Sequence, residues 1–244
     1  MRLSCGLAAA MAITDPHPVT SGFFRNHLYV LLGLTVFSTL LAAGGALPGL
    51  FWLAGVAAVL SYAGAVCWLY EAATPGRWIL LLIAILCGWG AIVTARAPAA
   101  TSSLAEKVLW WLDPLTSSWL LGGVFTAMLL GHWYLNVPGM ALAPLQRLTL
   151  WGAGGLAARL LQWMVSFGLL LSANGGNLPE GWEFWVLHAG PGLLAVGPVL
   201  WMSWETLKIP NTQSATGILY VGVILTFLGE VASLLICKSA VLPL

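Results

Sequence analysis

Residues 27–47 read HLYVLLGLTVFSTLLAAGGAL, a run without a single Asp, Glu, Lys or Arg. A helix that crosses the hydrocarbon core of a bilayer needs roughly 20 predominantly apolar residues, and this run is long enough. Stretches of the same character recur along the chain, and the predicted spans are 27–47, 49–71, 78–95, 117–137, 147–173, 183–205 and 214–238. The sequence therefore predicts an all-α, polytopic integral membrane bundle of about seven transmembrane helices.

The composition of the chain indicates the same class. Of 244 residues, 60% are hydrophobic and only 7% are charged, whereas a soluble domain carries about 25% charged residues. The net charge of +1 provides no basic field for nucleic acid. The 14 tryptophans fit a chain surrounded by lipid, because Trp gathers at membrane interfaces. We therefore expect lipids around the bundle and no nucleic-acid partner.

The spans leave no room for a separate soluble domain. We interpret residues 1–26 as a cytoplasmic N-terminal tail and residues 27–238 as a single transmembrane bundle. Within the bundle, residues 97–116 are predicted to be an interfacial amphipathic connection, because large apolar residues recur there at helical spacing between charged ones.

Lysine and arginine residues near the ends of the spans predict the orientation of the chain. One side of the predicted bundle carries Arg2, Arg25, Arg77, Arg147 and Lys208, and the other carries Arg96, Lys107 and Lys238. This bias predicts that the N-terminus lies in the cytoplasm and the C-terminus outside. We expect a multi-pass protein of the bacterial inner (cytoplasmic) membrane.

Ionisable side chains within the spans are informative because charge inside a bilayer is costly and marks ion pathways. Arg159 lies near the middle of the fifth span, Glu230 in the outer half of the seventh, and His188 near the outer end of the sixth, shortly before Pro191. We predict that Arg159 pairs with Glu230, that Pro191 kinks the sixth span, and that His188 lines an outward-opening polar pocket.

These three residues, Arg159, His188 and Glu230, are the predicted catalytic group, acting as a proton relay. Two structural alternatives remain open. Arg159 and Glu230 form only an ion pair between helices, or His188 only bonds a carbonyl that Pro191 leaves free.

A second polar group lies near the predicted cytoplasmic end. His27 opens the first span, and His132, Tyr134 and Asn136 lie near the end of the fourth. Histidines on different helices can ligate haem iron, so His27 and His132 are predicted metal ligands of a haem b. A quinone headgroup would instead need donors such as His132, Tyr134 and Asn136. Alternatively, His27 is an interfacial residue and His132 belongs to the aromatic belt.

The function hypotheses rest on these polar residues, because the chain contains no G-x-S-x-G, H-E-x-x-H or Walker A motif. The leading hypothesis is an integral membrane subunit of a bacterial electron-transfer complex, of respiratory or photosynthetic type. It would bind haem b or quinone and dock other membrane subunits. The alternatives are an accessory or structural membrane subunit without its own redox centre, and a transporter of a small solute or of haem. Whether the chain is an enzyme stays open.

Overall fold

The computed structural model describes residues 1–45, 48–95, 103–137, 139–173, 175, 177, 182–209 and 211–236. The helices are α1 (Arg2–Ile13), α2 (Ser21–Ala43), α3 (Pro48–Leu69), α4 (Ala73–Thr94), α5 (Leu104–Asn136), α6 (Ala143–Ala173), α7 (Trp182–Ala189), α8 (Val196–Lys208) and α9 (Thr212–Ile236). A π-helical turn, Gly190–Leu194, joins α7 to α8. The described residues contain no β-strand.

Seven segments of the described chain are long and apolar enough to cross a membrane: α2, α3, α4, α5, α6, the α7–α8 pair and α9. The predicted all-α bundle of about seven spans is confirmed, and the chain is a multi-pass membrane protein. Because successive spans alternate in direction, the bundle has two ends. The Arg25 end carries the start of α2, the end of α5 and the start of α9; the Ser103 end carries the start of α5 and the end of α6.

The N-terminal segment differs from the predicted tail, because residues 2–13 form α1 and pack against α4 and α5 inside the bundle. With 12 residues, α1 is about 18 Å long, too short to cross a core of about 30 Å. It starts beside Gly90 of α4. It ends at the Arg25 end of the bundle, where Arg77 Nε donates to the Ala12 carbonyl at 3.2 Å.

Glycines allow α1 to lie directly against α5. A Cβ built on Gly6 would overlap the backbone of Ser118, and one built on Gly122 would overlap the backbone of Gly6. The two helix backbones are therefore in contact, as small residues permit in membrane bundles. The close packing of α1 against α5 explains how a helix too short to cross the membrane can lie inside the bundle.

The predicted interfacial connection, 97–116, also differs from the structure. Residues 96–102 lie outside the described residues, and from Leu104 onward the chain is one continuous helix, α5, of 33 residues. It begins at a capping box, in which the Glu106 amide donates to Ser103 Oγ at 3.2 Å and the Ser103 amide donates to the Glu106 side chain at 3.3 Å. The apolar residues at helical spacing, Leu104, Val108, Trp111 and Leu115, are each more than 40% exposed, whereas Trp110 and Asp113 are buried, so the side of α5 that carries Asp113 packs against protein.

The sixth span is interrupted at the predicted place. Pro191 has no amide hydrogen and cannot continue the regular helical ladder, and the chain widens there into the π-helical turn Gly190–Leu194. The Ala195 amide donates to the Gly190 carbonyl at 2.9 Å. Within the turn, Gly192 contacts Gly229 of α9 so closely that neither position has room for a Cβ.

Fewer lysine and arginine residues support the predicted orientation in the structure than in the sequence. Arg2 lies at the end of α1 that is remote from the Arg25 end, and Arg96 and Lys238 lie outside the described residues. The remaining cations near span ends are Arg25, Arg77, Arg147 and Lys208 at the Arg25 end and Lys107 at the Ser103 end. This bias still predicts that the Arg25 end faces the cytoplasm.

Candidate functional site

Four charged side chains meet inside the bundle, in the half nearer the Ser103 end: Arg2 of α1, Asp113 of α5, Arg159 of α6 and Glu230 of α9. We call them the charged cluster. The side chains of Asp113 and Arg159 are fully buried, while those of Glu230 and Arg2 are 6% and 16% exposed. With all four groups ionised, the two guanidinium groups balance the two carboxylates.

Arg159 holds both carboxylates of the charged cluster. Its Nη1 lies 2.6 Å from Asp113 Oδ1, its Nε lies 3.2 Å from Glu230 Oε1, and its Nη2 donates to Ser233 Oγ at 3.0 Å. The planar guanidinium presents donors on several sides, which suits it to bridge carboxylates from different helices. The predicted pairing of Arg159 with Glu230 is confirmed, and the shorter contact is to Asp113.

Arg2 contacts the same two carboxylates from α1. Its Nη2 lies 2.5 Å from Asp113 Oδ2, and its Nη1 lies 3.6 Å from Glu230 Oε2. Each carboxylate therefore faces both arginines. The cluster connects α1, α5, α6 and α9, and removal of one partner would leave buried charge with less compensation.

Hydroxyl and amide groups complete the surroundings of the charged cluster. Ser117 Oγ donates to Glu230 Oε2, and Thr116 Oγ1 donates to Gln162 Oε1. Gln162 Oε1 also lies 3.5 Å from Arg159 Nη1. Glu230 thus has two guanidinium groups and one hydroxyl around it.

His188 lies beside the charged cluster and is fully buried, so it does not line the predicted outward-opening pocket. Its Nδ1 lies 2.9 Å from the Gly229 carbonyl of α9; because a carbonyl only accepts, we assign the proton to Nδ1. The sequence also suggested that His188 bonds a carbonyl freed by Pro191. In the structure its partner is instead the Gly229 carbonyl of another helix, α9. His188 is within electrostatic range of Asp113, Arg159 and Glu230.

The residues predicted to hold haem or quinone at the Arg25 end have separate local partners. His27 is buried, its Nδ1 lies 2.6 Å from the Phe23 carbonyl, and its ring lies 4.3 Å from that of Phe23 and 6.3 Å from that of Trp133. His132 is exposed, with Nδ1 3.3 Å from the Tyr220 hydroxyl. This packing offers no support for His27 and His132 as axial haem ligands, and haem binding stays a prediction.

Tyr134 and Asn136 also form hydrogen bonds to nearby backbone carbonyls. The buried Tyr134 hydroxyl donates to the Ala141 carbonyl in the loop after α5. Asn136 is exposed, and its Nδ2 donates to the His132 carbonyl at 3.5 Å. The structure therefore does not bring His132, Tyr134 and Asn136 together around one slot for a ring.

A cavity of about 440 Å³ adjoins the charged cluster. Arg2 and Glu230 provide its charged groups and Ser38, Thr94 and Ser117 its hydroxyl groups, and the rest of its lining is apolar and includes Leu50 and Phe227. It reaches the outer surface of the bundle beside side chains such as Leu41 and Val231, which are more than half exposed. A ligand with a polar ring and an apolar tail has the shape and polarity that this cavity can take.

Sequence reasoning missed two members of the charged cluster, Arg2 and Asp113, because it placed them in a tail and at the interface. For Asp113 a usable pattern existed, since it is the only Asp, Glu, Lys or Arg between residues 108 and 136. For Arg2 no sequence pattern pointed inward, because α1 is shorter than a span.

Comparison of the chain with known protein families, with curated proteins and with solved structures found no significant match.

Proposed function

We propose that this chain is the integral membrane subunit of an electron-transfer complex and that it binds a quinone beside the charged cluster. One observation carries the proposal. Arg2, Ser117 and Glu230 meet an otherwise mainly apolar cavity that reaches the surface of the bundle. Ionisable residues at membrane depth are expensive and characteristically serve a pathway or a ligand.

The chemistry of a quinone matches this set of groups. Its carbonyl oxygens accept hydrogen bonds, which the Arg2 guanidinium and the Ser117 hydroxyl can donate. Its reduction takes up electrons and protons in equal number, and Glu230 is a carboxyl group that can pass on a proton at the wall of the cavity. The isoprenoid tail finds apolar side chains such as Leu50 and Phe227 around it.

This proposal moves the quinone away from the residues that the sequence first suggested. His132, Tyr134 and Asn136 lie near the Arg25 end with separate partners. The charged cluster lies in the other half of the bundle and has a cavity beside it. Electrons must reach the quinone from elsewhere, because the chain carries no recognisable redox motif, so other membrane subunits are the expected partners.

The alternative of a structural or accessory subunit is favoured by a different observation. The charged cluster is balanced in charge and ties four helices together, which a scaffold also needs. A buried ion pair need not add stability, but it can specify one arrangement of helices. Quinone binding distinguishes the two functions, since a scaffold needs none.

Quinone binding is expected for the purified protein in lipid nanodiscs. A short-chain ubiquinone or menaquinone should quench tryptophan fluorescence saturably. Val231→Phe, which narrows the mouth of the cavity without touching an ion pair, should weaken binding about tenfold, equal to about 1.4 kcal/mol. The matched control is Val221→Phe, at an equally exposed position of α9 away from the cavity lining. If no quinone binds, or if both variants bind like the wild type, the proposed site is wrong.

Haem binding is tested by absorption spectra of the same preparation, oxidised and then reduced with dithionite. The proposal expects no haem bands from this chain, because His27 is packed against Phe23 and Trp133. A reduced b-type spectrum that disappears in His27→Ala and in His132→Ala would instead support the haem hypothesis, since axial ligands hold the iron.

A further inference from the structure

Six polar atoms outside the charged cluster are buried without a hydrogen-bond partner in the described part of the chain, and two of them, Trp68 Nε1 and Ser203 Oγ, lie on α3 and α8. The other four are Gln162 Nε2, Trp163 Nε1 and Ser166 Oγ on α6, and His188 Nε2 on α7. A buried polar atom without a partner is costly, and native proteins usually satisfy it with protein or ordered water. Lipid chains cannot do so, so these atoms need an explanation inside the bundle.

Trp185 of α7 packs against Trp163 and Phe167 of α6, and His188 is within electrostatic range of Arg159 of α6, so the four atoms are expected to lie in one region. α7 packs on α9, whereas the backbones of α6 and α7 barely approach each other. Aromatic rings occupy part of the separation, with Trp163 stacked on Phe167 at 5.1 Å and Phe167 at 5.4 Å from Trp185. His188 follows Trp185 by less than one helical turn, so it lies deeper in the same cleft.

Spacing along α6 extends this region from the charged cluster toward the Ser103 end. Arg159, Gln162 and Ser166 are buried, and their spacing of three and four residues places them on one face of the helix. At about 1.5 Å per residue, Ser166 lies about 10 Å beyond Arg159 along the helix axis. The polar face therefore continues past the cluster toward the end of α6.

We propose that an internal chain of water molecules fills this cleft between α6, α7 and α9 and carries protons between the Ser103 end and the charged cluster. The atoms that line it suit water, because Gln162 Nε2 and Trp163 Nε1 donate, His188 Nε2 accepts, and Ser166 Oγ does both. A buried water typically makes about three hydrogen bonds to such atoms.

His188 and Glu230 lie where this water would meet the charged cluster. The Gly229 carbonyl accepts a hydrogen bond from Nδ1 of His188, which leaves the Nε2 lone pair to accept a hydrogen bond from water. Glu230 lies next to Gly229 in α9 and also lines the cavity beside α1. The inference rests on the proposed function, because this route supplies the protons that quinone chemistry at Glu230 consumes or releases.

The test is solid-state NMR of the ¹⁵N-labelled protein in bilayers, with magnetisation transferred from water to side-chain N–H groups. Transfer to the Trp163 indole and to the Gln162 amide should be severalfold faster than transfer to the Trp119 indole. Trp119 is the matched reference, because it is also half-buried but its Nε1 donates to the Trp151 carbonyl at 2.9 Å. Transfer to Trp163 as slow as that to Trp119 would show a dry cleft and overturn the proposal.

A pair of serine variants localises the water. Ser166→Val removes a polar atom from the cleft and should slow transfer to Trp163, whereas Ser172→Val, at an exposed position of the same helix, should not. Equal transfer in both variants would remove Ser166 from the route. Quinone titration of the same samples separates the two proposals, since a dry cleft with saturable quinone binding contradicts only the water chain. A hydrated cleft without quinone binding contradicts only the proposed function.

Discussion

Arg159→Met is expected to cost about 3–5 kcal/mol of the free energy of unfolding, because it removes one of the two cations that face the buried carboxylates of Asp113 and Glu230. Met fills much of the same volume, so the loss of charge dominates the effect. Against a total stability of roughly 5–15 kcal/mol, this is a large fraction. Equilibrium unfolding in mixed micelles with increasing dodecyl sulfate would measure it.

The control for this prediction is Lys208→Met. Lys208 pairs with Glu205 at 2.5 Å, but both side chains are exposed, so its removal should cost less than about 1 kcal/mol. Adding Asp113→Asn to Arg159→Met should recover part of the loss, because it removes one of the uncompensated carboxylates. If Arg159→Met is as mild as Lys208→Met, the charged cluster is not an ionised network in the folded protein.

Gly6→Val is expected to displace α1 from the bundle. The backbone of Gly6 lies against Ser118 and Gly122, and a side chain on it would overlap the backbone of α5. Overpacking in a well-packed core typically costs about 1–3 kcal/mol, and here the displaced helix also carries Arg2 away from Asp113. Because Cys5 lies on α1 and is partly buried, its labelling by a maleimide, located by mass spectrometry, should rise in the variant.

Gly33→Val is the matched control, because Gly33 is also inside a helix but a Cβ built on it meets nothing within 4 Å. Labelling of Cys5 should stay at the wild-type level in this variant. If Gly6→Val also leaves labelling unchanged, α1 does not depend on this contact. The structural account of the buried N-terminal helix would then be wrong.

The number and the approximate limits of the spans could be predicted from sequence because the bilayer imposes a simple requirement. Backbone polar groups must be satisfied within each segment, and each segment must be apolar over a fixed thickness. The interruption at Pro191 was predictable for the same kind of local reason, since proline lacks the amide hydrogen. The limits of the spans and the interruption at Pro191 depend only on residues that are close together in the sequence.

The candidate site was only partly predictable. Arg159, His188 and Glu230 were found because a charged or polar side chain within an apolar run is conspicuous. The pairing of Arg159 with Glu230 was predicted across a difference in depth that a long arginine side chain can bridge. Asp113 was misplaced because an amphipathic pattern separates an apolar face from a polar one without saying which of them packs against protein, and here the side with Asp113 does. The cluster around these side chains depends on helices that are far apart in the sequence.

That the chain is a helical membrane bundle follows from its amino-acid sequence, because length and hydropathy decide whether a segment can cross a bilayer. The position of α1 inside the bundle does not, since it depends on the contact of Gly6 with Ser118 and Gly122 of α5. The same contact brings Arg2 to Asp113 and Glu230, and thereby places the charged cluster beside a cavity. Contacts between residues far apart in the sequence produce no repeating pattern along it, so hydropathy and local patterns do not reveal them.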